Sequence, residues 1–179
     1  MKKIYILLSR TQSILSRTVH LVTADQFTHA AIAFDEDMQL LYSSARWDGE
    51  TMFPSGPCQE SLARGFYARK KTPCAVYELL VEDDVYQRAK EEVAAIIARQ
   101  SHYRFNIIGL FLCWCHIPYR RKTHFFCSQF VGEILQRSGA LKLPKEPCLM
   151  RPSDYTRLSM LQPSFLGYIS QFRQMRGLV

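Results

Sequence analysis

Cys127 and His29 are the two residues whose types and placement suggest chemistry. Cys127 lies at the front of the stretch THFFCSQFVGEILQRSG, where Cys127, Phe130, Val131, Ile134 and Leu135 recur at helical spacing and Gly139 offers a stop. A thiol at a helix start feels the partial positive charge of the helix N-terminus, which favours the thiolate, the nucleophilic form. Taken alone, the segment equally fits a buried cysteine acting as a small apolar residue. A partner base decides between the two.

A cysteine hydrolase needs an imidazole to take the thiol proton and return it to the leaving group, and a third polar group to orient that imidazole. Five histidines are present. His20 falls in an expected helix, His102 follows another, and His116 lies in an apolar run. His124 is three residues before Cys127, where local geometry makes facing the thiol awkward. His29 remains, on the strand THAAIAFD, although a strand-edge histidine bonded to backbone fits the same sequence. The two residues lie far apart in the chain, so only the fold can join them.

The third group stays open at this level. If Gln39 to Ser44 returns as the hairpin partner of the His29 strand, Ser43 or Ser44 faces His29, and one register step exchanges them. Glu60 competes with both. A carboxylate stabilises an imidazolium better than a hydroxyl does, which favours Glu60 on chemistry, while an exposed surface glutamate is the ordinary alternative.

The surrounding elements must position these groups. Lys3 to Leu8 reads as a buried strand, followed by a helix with Ile14, Leu15, Val19 and Val22 on one face. Asp35 to Asp37 turns the hairpin, and His29, Ala31 and Ala33 share a face whose small residues leave room for a packed helix. From Ala45 to Thr72 the pattern breaks into a long loop rich in Gly and Pro. Cys74 to Val81 is a strand, Asp83 to Gln100 an amphipathic helix led by acidic residues, Ser153 to Met160 a short helix, and Phe165 to Ser170 a last strand.

Composition bounds the class. With 179 residues, 47% hydrophobic and 12% aromatic, the chain can bury one core, and residues 1–179 are expected to form a single domain. MKKIYILLSR is too short in apolar residues for a signal peptide, and Ile107 to Pro118 too short to span a bilayer, so a soluble cytoplasmic protein is expected. The six cysteines show no C-x-x-C pair and no disulfide density, so reduced thiols, no metal and no cofactor are expected. Cys113, Cys115 and His116 sit too close together for a common tetrahedral site.

The net charge of +7 points to anionic partners. Basic runs occur at Arg69 to Lys71 and Arg120 to Lys122, the second directly after the apolar run Ile107 to Trp114. Together these could lay an apolar patch and a positive rim on an anionic membrane, or form a core helix and a solvated turn. The runs are scattered and no nucleic-acid motif is present, so nucleic acid is not expected as a partner. A non-catalytic binding module of basic charge, contacting anionic membrane or nucleic acid, is the alternative to an enzyme.

The order of these segments resembles the circularly permuted branch of the NlpC-type papain-like cysteine hydrolases, related to lecithin:retinol acyltransferase-like enzymes. The resemblance rests on THAAIAFD preceding FFCSQFVGEIL, with LYSSAR, SGPCQE, SHYRFN and RPSDY in sequence around them. It implies an α+β fold with an antiparallel sheet packed against the cysteine helix. It also implies Cys127 as nucleophile, His29 as base, a thioester intermediate, and a small-molecule, peptide or lipid acyl substrate. In relatives the loop ends in a glutamate after two glycines and an apolar pair; here Ser55 replaces the first glycine, Pro57 and Cys58 form the pair, and Glu60 matches the end. The Cys127 backbone N–H is the expected oxyanion donor, with a second expected from Tyr5 to Ser9.

Overall fold

The hydrophobic run at the N-terminus forms the strand around which the sheet is laid. The computed structural model describes residues 1–10, 25–46, 55–68 and 71–178. Strand β1 (Lys2–Ser9) pairs antiparallel with β2 (His29–Ala33) on one side and β5 (Pro73–Val81) on the other. Beyond β2 lie β3 (Leu41–Arg46) and β4 (Ser55–Glu60), and beyond β5 lies β8 (Gln162–Tyr168), giving the order β4-β3-β2-β1-β5-β8 with every neighbour antiparallel. Two short strands, β6 (Arg104–Phe105) and β7 (His124–Phe125), pair parallel nearby. The helices are α1 (Asp83–Ile97), α2 (Ile107–Trp114), α3 (Cys127–Arg137) and α4 (Ile169–Met175). The chain is thus a mixed α+β protein with a six-stranded antiparallel sheet.

Both faces of β1 are buried, which explains why its sequence is apolar without alternation. Ile4, Ile6 and Leu8, with Ala30 and Ile32, pack under α1 through Ala89, Val93 and Ile96 and under α3 through Phe130, Val131, Ile134 and Leu135. The opposite face, carrying Tyr5, Leu7, Ala31 and Ala33, is closed by Leu62, Tyr67 and α4 residues Ile169 and Phe172. The small residues of β2 therefore do admit a helix on the His29 side, but it is α4. The cysteine helix packs on the face of Ala30 and Ile32.

Several expectations change. Within the expected loop the chain forms β4, which Gly56 and Pro57 disguise. As an edge strand β4 tolerates a residue without an N–H, and Gly56 allows the backbone of Tyr103 and Arg104 to approach, since a Cβ there would lie 3.2 Å from the Tyr103 carbonyl oxygen. The short helix expected at Ser153 is a 3₁₀ segment, Pro152–Arg157, and the last strand starts earlier and gives way to α4 at Ile169. The helix expected after β1 lies outside the described residues. So does part of the first basic run. Among the described residues, no helix is long and apolar enough to cross a membrane.

Helix α3 is locked at both ends. Ser128 Oγ donates to the Met150 carbonyl at 2.7 Å, and Tyr155 Oη donates to the Ser128 carbonyl at 2.7 Å. At the C-terminus Gly139 takes the left-handed conformation, φ +77°, that ends helices. Phe130 is fully buried at its centre. Phe130→Ala is expected to lower unfolding free energy by ~3–5 kcal/mol, against less than ~0.5 kcal/mol for Leu166→Ala on the exposed edge, both read from urea midpoints at unchanged slope.

Candidate active site

Strands β2 and β3 are bonded only at their hairpin end, through Ile32 opposite Tyr42 and Ala33 opposite Leu41. Asp35 fixes that turn by accepting from the backbone N–H groups of Gln39 at 2.7 Å and Leu40 at 2.6 Å. Toward His29 the ladder stops. The start of α3 meets the strands there: Ser44 Oγ donates to the Phe125 carbonyl at 2.6 Å, and the Ala30 backbone N–H reaches the Cys127 sulfur. A broken ladder leaves backbone groups to be satisfied, and the helix start supplies partners for them.

Cys127 is the first residue of α3. The N-cap position, which usually carries Ser, Thr, Asp or Asn, carries Phe126, in extended conformation and with no side-chain capping bond. The first-turn amides are thereby left to the sulfur, and the Ser128 N–H joins that of Ala30 in donating to it. His29 supplies a further side-chain hydrogen bond to Cys127. His29 Nε2 faces Glu60 instead, 3.0 Å from Oε1 and 3.3 Å from Oε2. With Nε2 so engaged, Nδ1 is the ring nitrogen left for the thiol.

Glu60 is itself held from the other side. Ser43 Oγ donates to its Oε1 at 2.5 Å, and the buried Tyr67 hydroxyl interacts with the carboxylate closely enough to lower its titration. The Tyr67 ring lies against the His29 ring at a tilt of 58°, centroids 6.3 Å apart. The side chains of His29 and Glu60 are only 9% and 7% exposed, and Cys127 is 6% exposed, so the three ionisable groups share one largely dehydrated site.

Their titrations follow from this packing. Burial pushes the Cys127 thiol up, but its bond to His29, the imidazolium charge and the amides of Ala30 and Ser128 outweigh it and hold the thiol below its usual value. Burial lowers His29, yet the Glu60 charge and the Cys127 contact prevail and raise it well above 6.5. Glu60, raised by burial, is brought below its ordinary value by His29 and by the hydroxyls of Ser43 and Tyr67. All three shifts favour a thiolate, an imidazolium and a carboxylate in a row. The other buried thiols go the opposite way: burial drives Cys58 and Cys74 up to about 12 and Cys113 up to about 11.

Of the residues singled out from sequence, the structure brings together Cys127, His29, Glu60 and Ser43. Ser44, one position on, points to the other face and binds the backbone just before α3. Neither serine bonds to His29 in the described contacts; Ser43 acts on Glu60. The amide that reaches Cys127 from the sheet belongs to Ala30 on β2, whereas the backbone of β1 is engaged by β2 and β5. Tyr67 was not singled out. A tyrosine next to Phe66 in a stretch of broken pattern carries no sequence signal for a carboxylate partner. Cys113 is buried and Cys115 exposed, and among the described residues no cluster of His, Cys, Asp and Glu could hold a metal ion.

No protein-family model, curated protein or solved structure matches this chain.

The opposed shifts predict selective alkylation. In a Cys115→Ser background, which removes the exposed thiol, iodoacetamide should label Cys127 below pH 9, where Cys58, Cys74 and Cys113 remain protonated. The sign follows from the lowered Cys127 value: its thiolate exists at a pH where the raised thiols have none. His29→Ala should move the Cys127 labelling curve to higher pH, read by site-resolved mass spectrometry. Equal labelling of Cys127 and Cys113 at pH 7 would contradict the ion pair.

Proposed function

We propose that the chain is a cysteine-dependent hydrolase or acyltransferase of the permuted NlpC-type papain-like kind, cleaving an amide, ester or thioester through a thioester acyl-enzyme. The observation that carries this reading is the row Cys127, His29, Glu60, with His29 Nε2 on the carboxylate, the same imidazole interacting with the thiol, and the thiol at an uncapped helix start. The histidine on a strand preceding the cysteine on a helix is the order that the sequence resemblance calls for, and the antiparallel sheet beside α3 agrees with it.

In this proposal the Cys127 thiolate attacks the substrate carbonyl carbon, forming a C–S bond while the carbonyl oxygen takes the electron pair. Backbone N–H groups at the start of α3, that of Cys127 foremost, stabilise the oxyanion. As the tetrahedral intermediate collapses, the C–N, C–O or C–S bond to the leaving group breaks and His29 delivers its proton to the departing nitrogen, oxygen or sulfur. His29, now neutral, takes a proton from water or from an acceptor hydroxyl or amine, which attacks the thioester carbonyl. The C–S bond breaks, and the thiolate and imidazolium are restored. Glu60 holds the ring through Nε2 and stabilises the imidazolium, while Ser43 holds Glu60 and Tyr67 packs beside the imidazole.

A purely structural or binding role explains the site less well. Taking ions out of water costs several kcal/mol each before pairing compensates, and a basic binding surface has no use for a buried thiolate. The expected substrate is a small-molecule, peptide or lipid acyl compound.

The test is a panel of p-nitrophenyl esters and aminoacyl anilides of graded chain length, with intact mass recorded at early times. Wild type should show an acyl adduct on Cys127 and a bell-shaped rate profile. The acid limb belongs to the lowered Cys127 and the alkaline limb to the raised His29, above 6.5. Cys127→Ala should abolish turnover, and His29→Ala should cost about 10²–10⁴-fold. Glu60→Gln should move the alkaline limb to lower pH. Turnover that survives Cys127→Ala, or no adduct across the panel with wild type, would overturn the reading.

A further inference from the structure

Helix α2 exposes large apolar side chains on one face while burying the other. Gly109, Leu110 and Cys113 are buried, and Leu110 and Cys113 pack on Phe126, the residue before Cys127. Ile108 and Phe111 lie one turn apart on the outer side, 56% and 47% exposed, and Phe111 meets Trp114 edge to face with ring centroids 4.9 Å apart. Ile117, 51% exposed, extends this patch and is not a frayed end. His116 takes φ +58°, and the closing bonds are Ile117 N–H to the Leu112 carbonyl at 2.9 Å and His116 N–H to the Cys113 carbonyl at 3.1 Å. This is a Schellman closure, built at a residue with a side chain, and it pins Ile117 beside the helix.

Charge supplies the second observation. No Asp or Glu occurs between Glu92 and Glu133, whereas Arg99, Arg104, Arg120, Arg121 and Lys122 all do. Arg121 and Lys122 are exposed and follow Ile117 by four and five residues, so they lie within about 18 Å of it even on a fully extended chain. Arg120, itself largely exposed, reaches Glu133 at 3.6 Å and the exposed Glu146 at 3.8 Å, and the first contact ties the loop to α3. The other exposed large apolar residues, among them Leu80, Met160, Leu166 and Met175, lie on other elements.

We propose that the outer face of α2 with Ile117 is a docking surface for an anionic lipid bilayer, its apolar side chains entering the acyl boundary and Arg121 and Lys122 meeting lipid phosphates. An apolar wedge with an aromatic pair, on a stretch of chain that carries cations and no carboxylate of its own, matches the interfacial zone of such a membrane. A protein groove would leave the cationic rim without a stated partner. Nucleic acid would leave Ile108, Phe111 and Ile117 unused. The inference does not rest on the chemistry at Cys127, although Phe126 places the surface directly beside that residue.

The experiment is co-sedimentation of the full chain with sucrose-loaded vesicles of phosphatidylcholine and phosphatidylglycerol in a ratio of roughly 7:3, against phosphatidylcholine alone, at low and high salt. Wild type and Cys127→Ala should both partition at least ~10-fold more strongly onto the anionic vesicles, less so at high salt. Ile108→Ser with Phe111→Ser, and separately Arg121→Glu with Lys122→Glu, should each reduce partitioning by about 10-fold. Unchanged circular dichroism melting shows that each variant is folded. Absence of binding to anionic vesicles overturns the proposal, as does binding that survives both double variants. Gel filtration showing a dimer dispersed by the Ile108 and Phe111 substitutions assigns the face to a second copy. Oligonucleotide binding lost only in the Arg121 and Lys122 variant assigns the rim to nucleic acid. Either result, without vesicle binding, also overturns it.

Discussion

The hydrogen-bonded row from Cys127 through His29 to Glu60 is the constraint on which the rest of this structure depends. Three ionisable groups in a site less than a tenth exposed are tolerable only if each finds a partner of the right sign and geometry. Each does. The sulfur receives N–H groups from Ala30 and Ser128, the imidazole spans thiol and carboxylate, and the carboxylate receives the Ser43 hydroxyl with Tyr67 beside it. Removing any member leaves a buried charge unpaired, so the fold around the row has to be held closely in place.

That requirement accounts for features that look unrelated. The hairpin of β2 and β3 is bonded tightly at its turn and separates toward His29, where the cysteine helix meets it. The helix lacks a side-chain cap because the thiol and the strand use its first turn. Its start is instead pinned by Ser44, Ser128 and Tyr155, whose hydroxyls all donate to backbone carbonyls. Gly132 serves the same end, since a Cβ there would come within 3.0 Å of the Tyr155 hydroxyl. A helix pinned at its start thus carries the candidate nucleophile, as preorganised chemistry needs.

Helix α2 shows the opposite economy. Its inner side completes the packing around Phe126, and Asn106 both caps it through Oδ1 to the Gly109 N–H at 2.9 Å and reaches Gln129 on α3 at 3.3 Å. Its outer side contributes nothing to the core. A segment with mostly apolar residues all round normally lies inside a protein, so an outer face left bare marks a surface with another use.

The elements with strong local patterns are readable from residue order alone. The apolar run of β1, the acidic start of α1, the stripe and glycine stop of α3 and the turn at Asp35 were all legible, because spacing and capping chemistry act over a few residues. The sequence also narrowed the site to Cys127, His29 and three candidates for a third group. Chemistry favours Glu60 over Ser43 and Ser44, but position could not support that choice, because a single register step moves a side chain to the other face of a sheet. Strand β4 was hidden, since its Gly56 and Pro57 are acceptable only at an edge beside an approaching backbone. Helix α4 was hidden because Ile169 and Phe172 alone make too short a pattern. Only the tertiary structure decided that Glu60, two strands away, reaches the far nitrogen of His29, and that Tyr67 and Ser43 stand behind it. Those relations depend on contacts between residues distant in the chain, and no local preference of a strand or loop residue encodes them.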